Sequence, residues 1–115
     1  ARYNAVDIAL DTFPYSGGIT TCEALWMGVP VVTLPGSTSA SRHASSHLST
    51  VGLTEFIAGD LPAYIKIASG LAADFSELEK LHQGLRDRLA ASPLCDGADF
   101  ARQFGTAMKD IWQNR

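Results

Sequence analysis

The chain has 115 residues, which fits one domain, and 46% of them are hydrophobic and 18% charged. This balance is enough to bury a core and excludes a disordered chain. A net charge of −3 at pH 7 argues against a general nucleic-acid surface. Because no secretory signal or apolar run of membrane length is visible, we expect a cytoplasmic protein with neither membrane nor nucleic-acid partners.

The predicted elements begin with a buried strand over residues 6–12, VDIALDT, followed by a turn over 13–18 with two glycines. A short helix over 20–27 follows, and Gly28 ends it. The remaining predictions, in chain order, are a strand over 29–35, a helix over 40–51 stopped by Gly52, a short strand over 53–58, a helix capped by Asp60 with Pro62 in its first turn, a helix over 76–91 and a last helix over 99–113.

Two of these helices carry apolar side chains at helical spacing, which predicts buried faces. The stripe of residues 78–89 is expected to pack in the core or, alternatively, to form a surface for a missing lobe, and it consists of Leu78, Leu81, Leu85 and Leu89. The predicted core stripe of the last helix consists of Phe100, Phe104, Met108, Ile111 and Trp112. Trp26 is also predicted to lie in the core.

Strands alternate with helices along the first half of the chain, which is typical of a parallel α/β sheet with βαβ crossovers. We therefore expect one Rossmann-like lobe spanning residues 1–115, with flanking helices. Three strands make a small sheet. We expect this lobe to be a fragment of a larger protein that supplies further strands or a second lobe.

The segment SGGITTCEALWMG, residues 16–28, carries the strongest functional signal. In an open parallel sheet, ligands bind outside the carboxyl ends of the strands, and the glycine turn lies at such an end. A helix N-terminus there exposes backbone N–H groups and partial positive charge. Gly17 and Gly18 would allow close approach of an anion, and Thr20 and Thr21 add hydroxyl donors.

The same segment also permits a purely structural interpretation. Thr20 and Glu23 have the spacing of a capping box, in which each side chain satisfies the other's backbone donor. The glycines would then only make the turn. Glu23 has a functional alternative, because a carboxylate in such a helix can accept hydrogen bonds from ribose hydroxyls.

Other polar residues have a structural and a functional interpretation. Asp7 and Asp11 stand about 13 Å apart along a strand, too far for an acid–base pair, and we expect Asp11 to brace the turn. Arg42 is predicted to make a structural salt bridge, or alternatively to contact a nucleotide or another lobe. The serines at 37, 39 and 41 are expected to cap the helix that follows.

Metal-site patterns are weak in this sequence. His43 and His47 have the spacing of one helix face, but no third ligand accompanies them. Cys22 and Cys95 form no CxxC motif and are expected to be reduced thiols. His82 is expected on the surface. We therefore expect no metal site.

Three stretches together resemble one family. They are DIALDTFPYSGGITTCEALWMGVPVVTLPG, ASRHASSHLSTVGL and RLAASPLCDGADFAR, which cover nearly the whole chain. They are similar to the C-terminal catalytic lobe of the O-linked N-acetylglucosamine transferases of glycosyltransferase family 41, to which Spindly-type protein O-fucosyltransferases are related.

The resemblance implies the C-terminal half of a GT-B glycosyltransferase, with an N-terminal lobe and tetratricopeptide repeats upstream. It implies transfer of N-acetylglucosamine from UDP-N-acetylglucosamine to protein Ser or Thr, without a metal or other cofactor. It places the donor diphosphate at Gly17, Gly18, Ile19, Thr20 and Thr21, and the donor ribose at Glu23.

Two departures weaken the side-chain part of this site. Many bacterial relatives have threonine at the position of Ile19, and animal relatives have histidine at that of Gly18. The family's base-contacting and catalytic residues lie upstream of Ala1, so we expect no catalytic residue within residues 1–115 and no turnover by them alone. The alternatives are a protein O-fucosyltransferase that uses GDP-fucose and a non-catalytic nucleotide- or partner-binding module.

Overall fold

The computed structural model describes residues 2–115, so Ala1, where the predicted lobe begins, lies outside the described residues. Two short strands and five helices form the fold. They are β1 (Ala9–Leu10), α1 (Ile19–Trp26), β2 (Val31–Val32), α2 (His43–Val51), α3 (Leu61–Ala73), α4 (Phe75–Ala90) and α5 (Gly97–Gln113). Four 3₁₀ turns lie at Arg2–Ala5, Ser39–Ser41, Thr54–Phe56 and Pro93–Cys95.

The sheet is parallel, as the alternation of elements predicts. Strand β1 pairs with β2 in the register Ala9 to Val31 and Leu10 to Val32. The helix α1 connects them, which makes the βαβ unit expected of an α/β fold. The α/β prediction is therefore confirmed, with regular strands shorter than the predicted ranges 6–12 and 29–35.

The predicted third strand over 53–58 is largely wrong. Residues Thr54–Phe56 form a 3₁₀ turn, closed by a hydrogen bond from Phe56 N to the carbonyl oxygen of Leu53. Only Ile57 pairs with the sheet, through a parallel bridge to Thr33. The apolar pattern identified a buried segment, but periodicity over six residues does not separate a strand from a turn that buries Phe56.

The core lies between the sheet and the helices that flank it. Side chains buried to less than 2% exposure include Leu25, Val29, Val32, Leu48 and Leu53. The predicted packing role of the α4 stripe is confirmed, since Leu81, Leu85 and Leu89 are buried and Leu78 is half-buried.

The predicted core stripe of α5 is wrong. The helix has no buried residue, and Phe104 and Trp112 are 54% and 65% exposed. Phe100, Met108 and Ile111 are exposed as well. Helix α5 packs mainly against the 3₁₀ turn Pro93–Cys95, near its own start. An apolar stripe shows that a helix is amphipathic, but it does not show what covers that face.

Trp26 also departs from its predicted place in the core. It lies at the end of α1 and is 44% exposed. The guanidinium of Arg86 lies 5.2 Å from the centre of its ring, on the side facing α4. The indole therefore covers the edge of the α1–α4 contact, and one face of its ring lies against the Arg86 guanidinium.

Helix ends follow local chemistry closely. Asp60 caps α3 by accepting a 2.8 Å hydrogen bond from Ala63 N, as predicted. Gly28 and Gly52 follow α1 and α2 with φ angles of 81° and 80°, a left-handed conformation that favours glycine.

Within residues 2–115, no helix is long and apolar enough to cross a membrane.

The start of α2 differs from the predicted range 40–51. Residues Ser39–Ser41 form a separate 3₁₀ turn, and α2 begins at His43. Ser41 makes the cap of the 3₁₀ turn, because its hydroxyl accepts a 3.1 Å hydrogen bond from Thr38 N. The predicted capping of the following helix by these serines is therefore wrong, because the N-cap residue of α2 is Arg42, whose side chain makes no capping hydrogen bond.

Candidate functional site

A buried carboxylate organises the turn between β1 and α1. Asp11, directly after β1, is 8% exposed. Its oxygens accept 2.7 Å hydrogen bonds from Ser16 Oγ, Gly17 N and Thr33 Oγ1. These donors compensate the burial of the carboxylate and hold the turn against β2. The predicted bracing role of Asp11 is confirmed.

Two residues that sequence analysis did not select join this turn to the helices. The hydroxyl of Ser16 donates to Asp11 and accepts a 2.9 Å hydrogen bond from Ala44 N, in the first turn of α2. The hydroxyl of Tyr64 on α3 donates to the carbonyl oxygen of Asp11 at 2.9 Å. Tyr64 is 53 residues from Asp11, so local sequence patterns contain no signal for this contact.

The start of α1 rules out the capping box. Gly18 is the N-cap residue, and no side chain caps the helix. Thr20 and Glu23 are therefore the second and fifth residues of α1 instead of its N-cap and third residue. The helix begins one residue before the predicted range 20–27, and its first backbone N–H groups have no side-chain partner.

The two glycines of the turn have different surroundings. A Cβ on Gly17 would lie 2.8 Å from Thr20 Oγ1 and 3.0 Å from Thr21 Oγ1, so the packing requires glycine there. At Gly18, a Cβ would meet only His43 Nδ1, at 4.0 Å. A side chain therefore has no room at Gly17 but would fit at Gly18, which lies beside the uncapped N-terminus of α1.

The two predicted threonine donors also differ in their burial. The hydroxyl of Thr21 is buried and donates a 2.9 Å hydrogen bond to the carbonyl oxygen of Gly17. Thr20 is exposed, and Ile19 is 77% exposed beside it. Only Thr20 thus keeps a hydroxyl available at the surface of the turn, while Thr21 stabilises the backbone.

Glu23 is exposed on α1, one turn beyond Ile19. Tyr3 Oη lies 3.5 Å from its Oε2 atom. Glu23 makes no salt bridge within residues 2–115. The carboxylate therefore keeps most of its acceptor capacity free. Tyr3 was not singled out from the sequence, because it comes from the separate 3₁₀ turn Arg2–Ala5.

An apolar cleft of about 600 Å³ lies along α1 on the side of α2. Its lining consists of Gly18, Ile19, Cys22, Glu23, Trp26, His43, His47 and Leu89. The predicted histidine pair thus shares the cleft with the end of α1. No group of three or more histidine, cysteine or acidic residues in the described part of the chain is arranged to hold a metal ion.

Two side chains of this cleft have shifted proton affinities. Burial lowers the pKa of His47, and the neighbouring His43 lowers it further. Burial raises the pKa of the Cys22 thiol, with a further contribution from Cys95. Both shifts favour neutral side chains, which matches the apolar walls. Cys22 and Cys95 are free thiols, as predicted.

Arg42 and His82 make their contacts away from the N-terminus of α1. The Arg42 guanidinium donates a 2.8 Å hydrogen bond to the carbonyl oxygen of Gly36 and makes no salt bridge within residues 2–115. The predicted salt bridge is therefore replaced by a bond to the backbone. His82 is exposed on α4, as predicted, with Gly28 packed closely against it.

Together, a βαβ unit, a carboxylate-braced glycine turn and an uncapped helix N-terminus define an α/β lobe with an open turn at the carboxyl end of β1. Residues 1–104 match the sequence profile of Glycosyl transferase family 41. The chain belongs to this family, which confirms the resemblance seen in the sequence.

Individual relatives agree with this assignment. The chain is 45% identical, over 96% of its length, to the probable UDP-N-acetylglucosamine–peptide N-acetylglucosaminyltransferase SPINDLY of Petunia hybrida. It is 30% identical, over 97% of its length, to the UDP-N-acetylglucosamine–peptide N-acetylglucosaminyltransferase of Caenorhabditis elegans. The chain spans only 12% and 10% of these two proteins.

A solved structure shows the same fold. A mutant of the Thermobaculum terrenum O-GlcNAc transferase superposes on 97% of this chain with a TM-score of 0.88 and 44% sequence identity. The aligned part is 22% of that chain. The similarity in structure therefore confirms the α/β fold.

Proposed function

We propose that this lobe binds a nucleotide sugar and that the full-length protein transfers N-acetylglucosamine from UDP-N-acetylglucosamine to Ser or Thr of proteins. The observation that supports this most is the uncapped N-terminus of α1 beside an open glycine turn. The names of the nematode relative and of the Thermobaculum terrenum O-GlcNAc transferase favour this donor over GDP-fucose.

The donor diphosphate would lie against the backbone of Gly17, Gly18, Ile19, Thr20 and Thr21. N–H groups at a helix N-terminus bind anions without a cationic side chain. The exposed Thr20 hydroxyl can donate to a phosphate oxygen, whereas Ile19 offers only its backbone N–H. Thr21 contributes by holding Gly17 in place.

Sugar transfer requires stabilisation of the diphosphate as negative charge develops on it. The turn is suited to this role because Asp11, Ser16 and Thr33 hold it rigidly before a ligand arrives. Preorganised N–H groups stabilise the developing charge with little reorganisation. This arrangement needs no metal ion, in keeping with the expectation that the protein uses no cofactor.

The donor ribose would be held by Glu23. Its carboxylate lies one helical turn beyond the diphosphate site and has free acceptor positions. Ribose hydroxyls donate hydrogen bonds to such a group. The acceptor protein, the groups that contact the base and the catalytic residues would come from other parts of the protein, including an N-terminal lobe.

The experiment that tests this proposal is a titration of residues 1–115 with UDP, GDP and pyrophosphate, followed by amide NMR shifts. We expect UDP to move the amides of residues 17–23 more than GDP does, while Gly52, at the far end of α2, stays unchanged. Stronger binding of GDP would support fucose transfer instead. No shift near the turn, either here or in the full-length protein, would contradict a nucleotide site.

A further inference from the structure

The ring of Tyr3 fills the space between the N-terminal 3₁₀ turn and α1. Its side chain is half-buried and packs against the hydrophobic core. It lines a cavity of about 190 Å³, together with Asp11, Gly17 and Thr20, below the glycine turn. The ring is therefore partly held by packing, and its hydroxyl lies beside Glu23 of α1.

We propose that Tyr3 is a positioning residue that orients the Glu23 carboxylate for the ribose hydroxyls of the nucleotide. This inference rests on the proposed function. Tyr3 Oη and Glu23 Oε2 lie 3.5 Å apart, which is a long hydrogen bond. Such contacts shorten when a bound ligand holds both partners in place.

The chemistry of a phenol suits this role better than that of a cation. Glu23 has no salt bridge within residues 2–115, so its negative charge is not neutralised by a partner. A phenol donates one hydrogen bond to Oε2 and leaves Oε1 as an acceptor for a ribose hydroxyl. A lysine or arginine at the same place would compete with the ribose for the carboxylate.

We expect the Tyr3 contact to reduce the conformational entropy that the Glu23 side chain loses when the nucleotide binds. An exposed glutamate on a helix samples several rotamers, and fixing it in one of them costs conformational entropy. Tyr3 restricts these rotamers in advance, because its own ring is held by the core. Prior orientation of a contacting group increases affinity without adding a contact to the ligand.

A double-mutant cycle in the full-length protein tests the proposal. Calorimetry would give the UDP affinity of the wild type, Tyr3→Phe, Glu23→Gln and the double variant. We expect Tyr3→Phe to weaken UDP binding about three- to tenfold, the range expected for one hydrogen bond. The same change should have a smaller effect in the Glu23→Gln background, because Tyr3 acts through that carboxylate and a neutral amide is a weaker acceptor.

A second nucleotide gives a readout that a structural role would not affect. Tyr3→Phe should leave the affinity for 2′,3′-dideoxy-UDP unchanged, since this ligand lacks the ribose hydroxyls. Tyr15→Phe is the matched control. Tyr15 is 69% exposed, and its hydroxyl makes no hydrogen bond within the described residues. It should bind UDP like the wild type.

The possible results separate this inference from the proposed function. If Glu23→Gln weakens UDP binding and Tyr3→Phe does not, the positioning role is wrong and the nucleotide site stands. Equal losses from Tyr3→Phe in both backgrounds, or an equal loss with 2′,3′-dideoxy-UDP, would also overturn it. If the wild type binds no nucleotide, the proposed function itself is contradicted.

Discussion

At the scale of single residues, the site depends on polar contacts between distant parts of the chain. Asp11 receives donors from the turn that follows it and from Thr33, 22 residues away. The sequence predicted that Asp11 braces the turn, because an acidic residue at the end of a strand precedes two glycines. It contained no signal for Thr33, Tyr64 or Tyr3, since these contacts depend on how separate elements pack.

The first prediction concerns Asp11→Asn. An amide group can accept from only one side, so a buried donor of Ser16, Gly17 or Thr33 loses its partner. We expect the free energy of unfolding to fall by about 2 kcal/mol. Chemical denaturation would measure the change. Asp7→Asn is the control, because Asp7 is exposed and precedes β1, and it should change stability by less than about 0.5 kcal/mol.

At the scale of elements, the amphipathic helices α4 and α5 differ in whether their apolar faces are buried. The leucine stripe of α4 is buried, and Leu85 is 2% exposed. The equally regular stripe of α5 is exposed throughout. The sequence predicted both helices closely, since capping residues and apolar periodicity are local. It did not predict the burial of α5, because burial requires a neighbouring element that periodicity does not identify.

This contrast gives the second prediction. Leu85→Ala should lower the free energy of unfolding by about 3 kcal/mol, because it leaves a cavity among buried side chains. Phe104→Ala should change it by less than about 0.5 kcal/mol, since the ring is 54% exposed and α5 buries nothing. Denaturation of residues 1–115 would measure both. Equal losses would show that α5 packs on the lobe in solution.

At the scale of the whole molecule, proton binding is linked to folding through the cleft between α1 and α2. His47 lies in this cleft, and its pKa is lowered from the ordinary value of 6.5 by burial and by His43. The unfolded chain therefore binds a proton at His47 more readily than the folded lobe does. By linkage, the contribution of His47 to stability is complete above pH 6.5 and is lost as the pH falls below this value, through the lower pKa of the folded lobe.

The third prediction follows from this shift. The free energy of unfolding, measured by denaturation between pH 7.5 and 5, should fall less steeply in His47→Gln than in the wild type. His82→Gln is the matched control, because His82 is exposed on α4, and it should keep the wild-type slope. Identical slopes in all three proteins would show that His47 has the same pKa in the folded and unfolded states.

Features that arise from neighbouring residues could be predicted from the sequence. These are the glycine turn, the caps at Asp60, Gly28 and Gly52, the helices and the motifs of a glycosyltransferase family. Only the packing of separate elements leaves α5 exposed and brings Tyr3 to Glu23. The physical reason is that capping and periodicity act within a few residues, whereas burial and side-chain partners depend on which elements pack together.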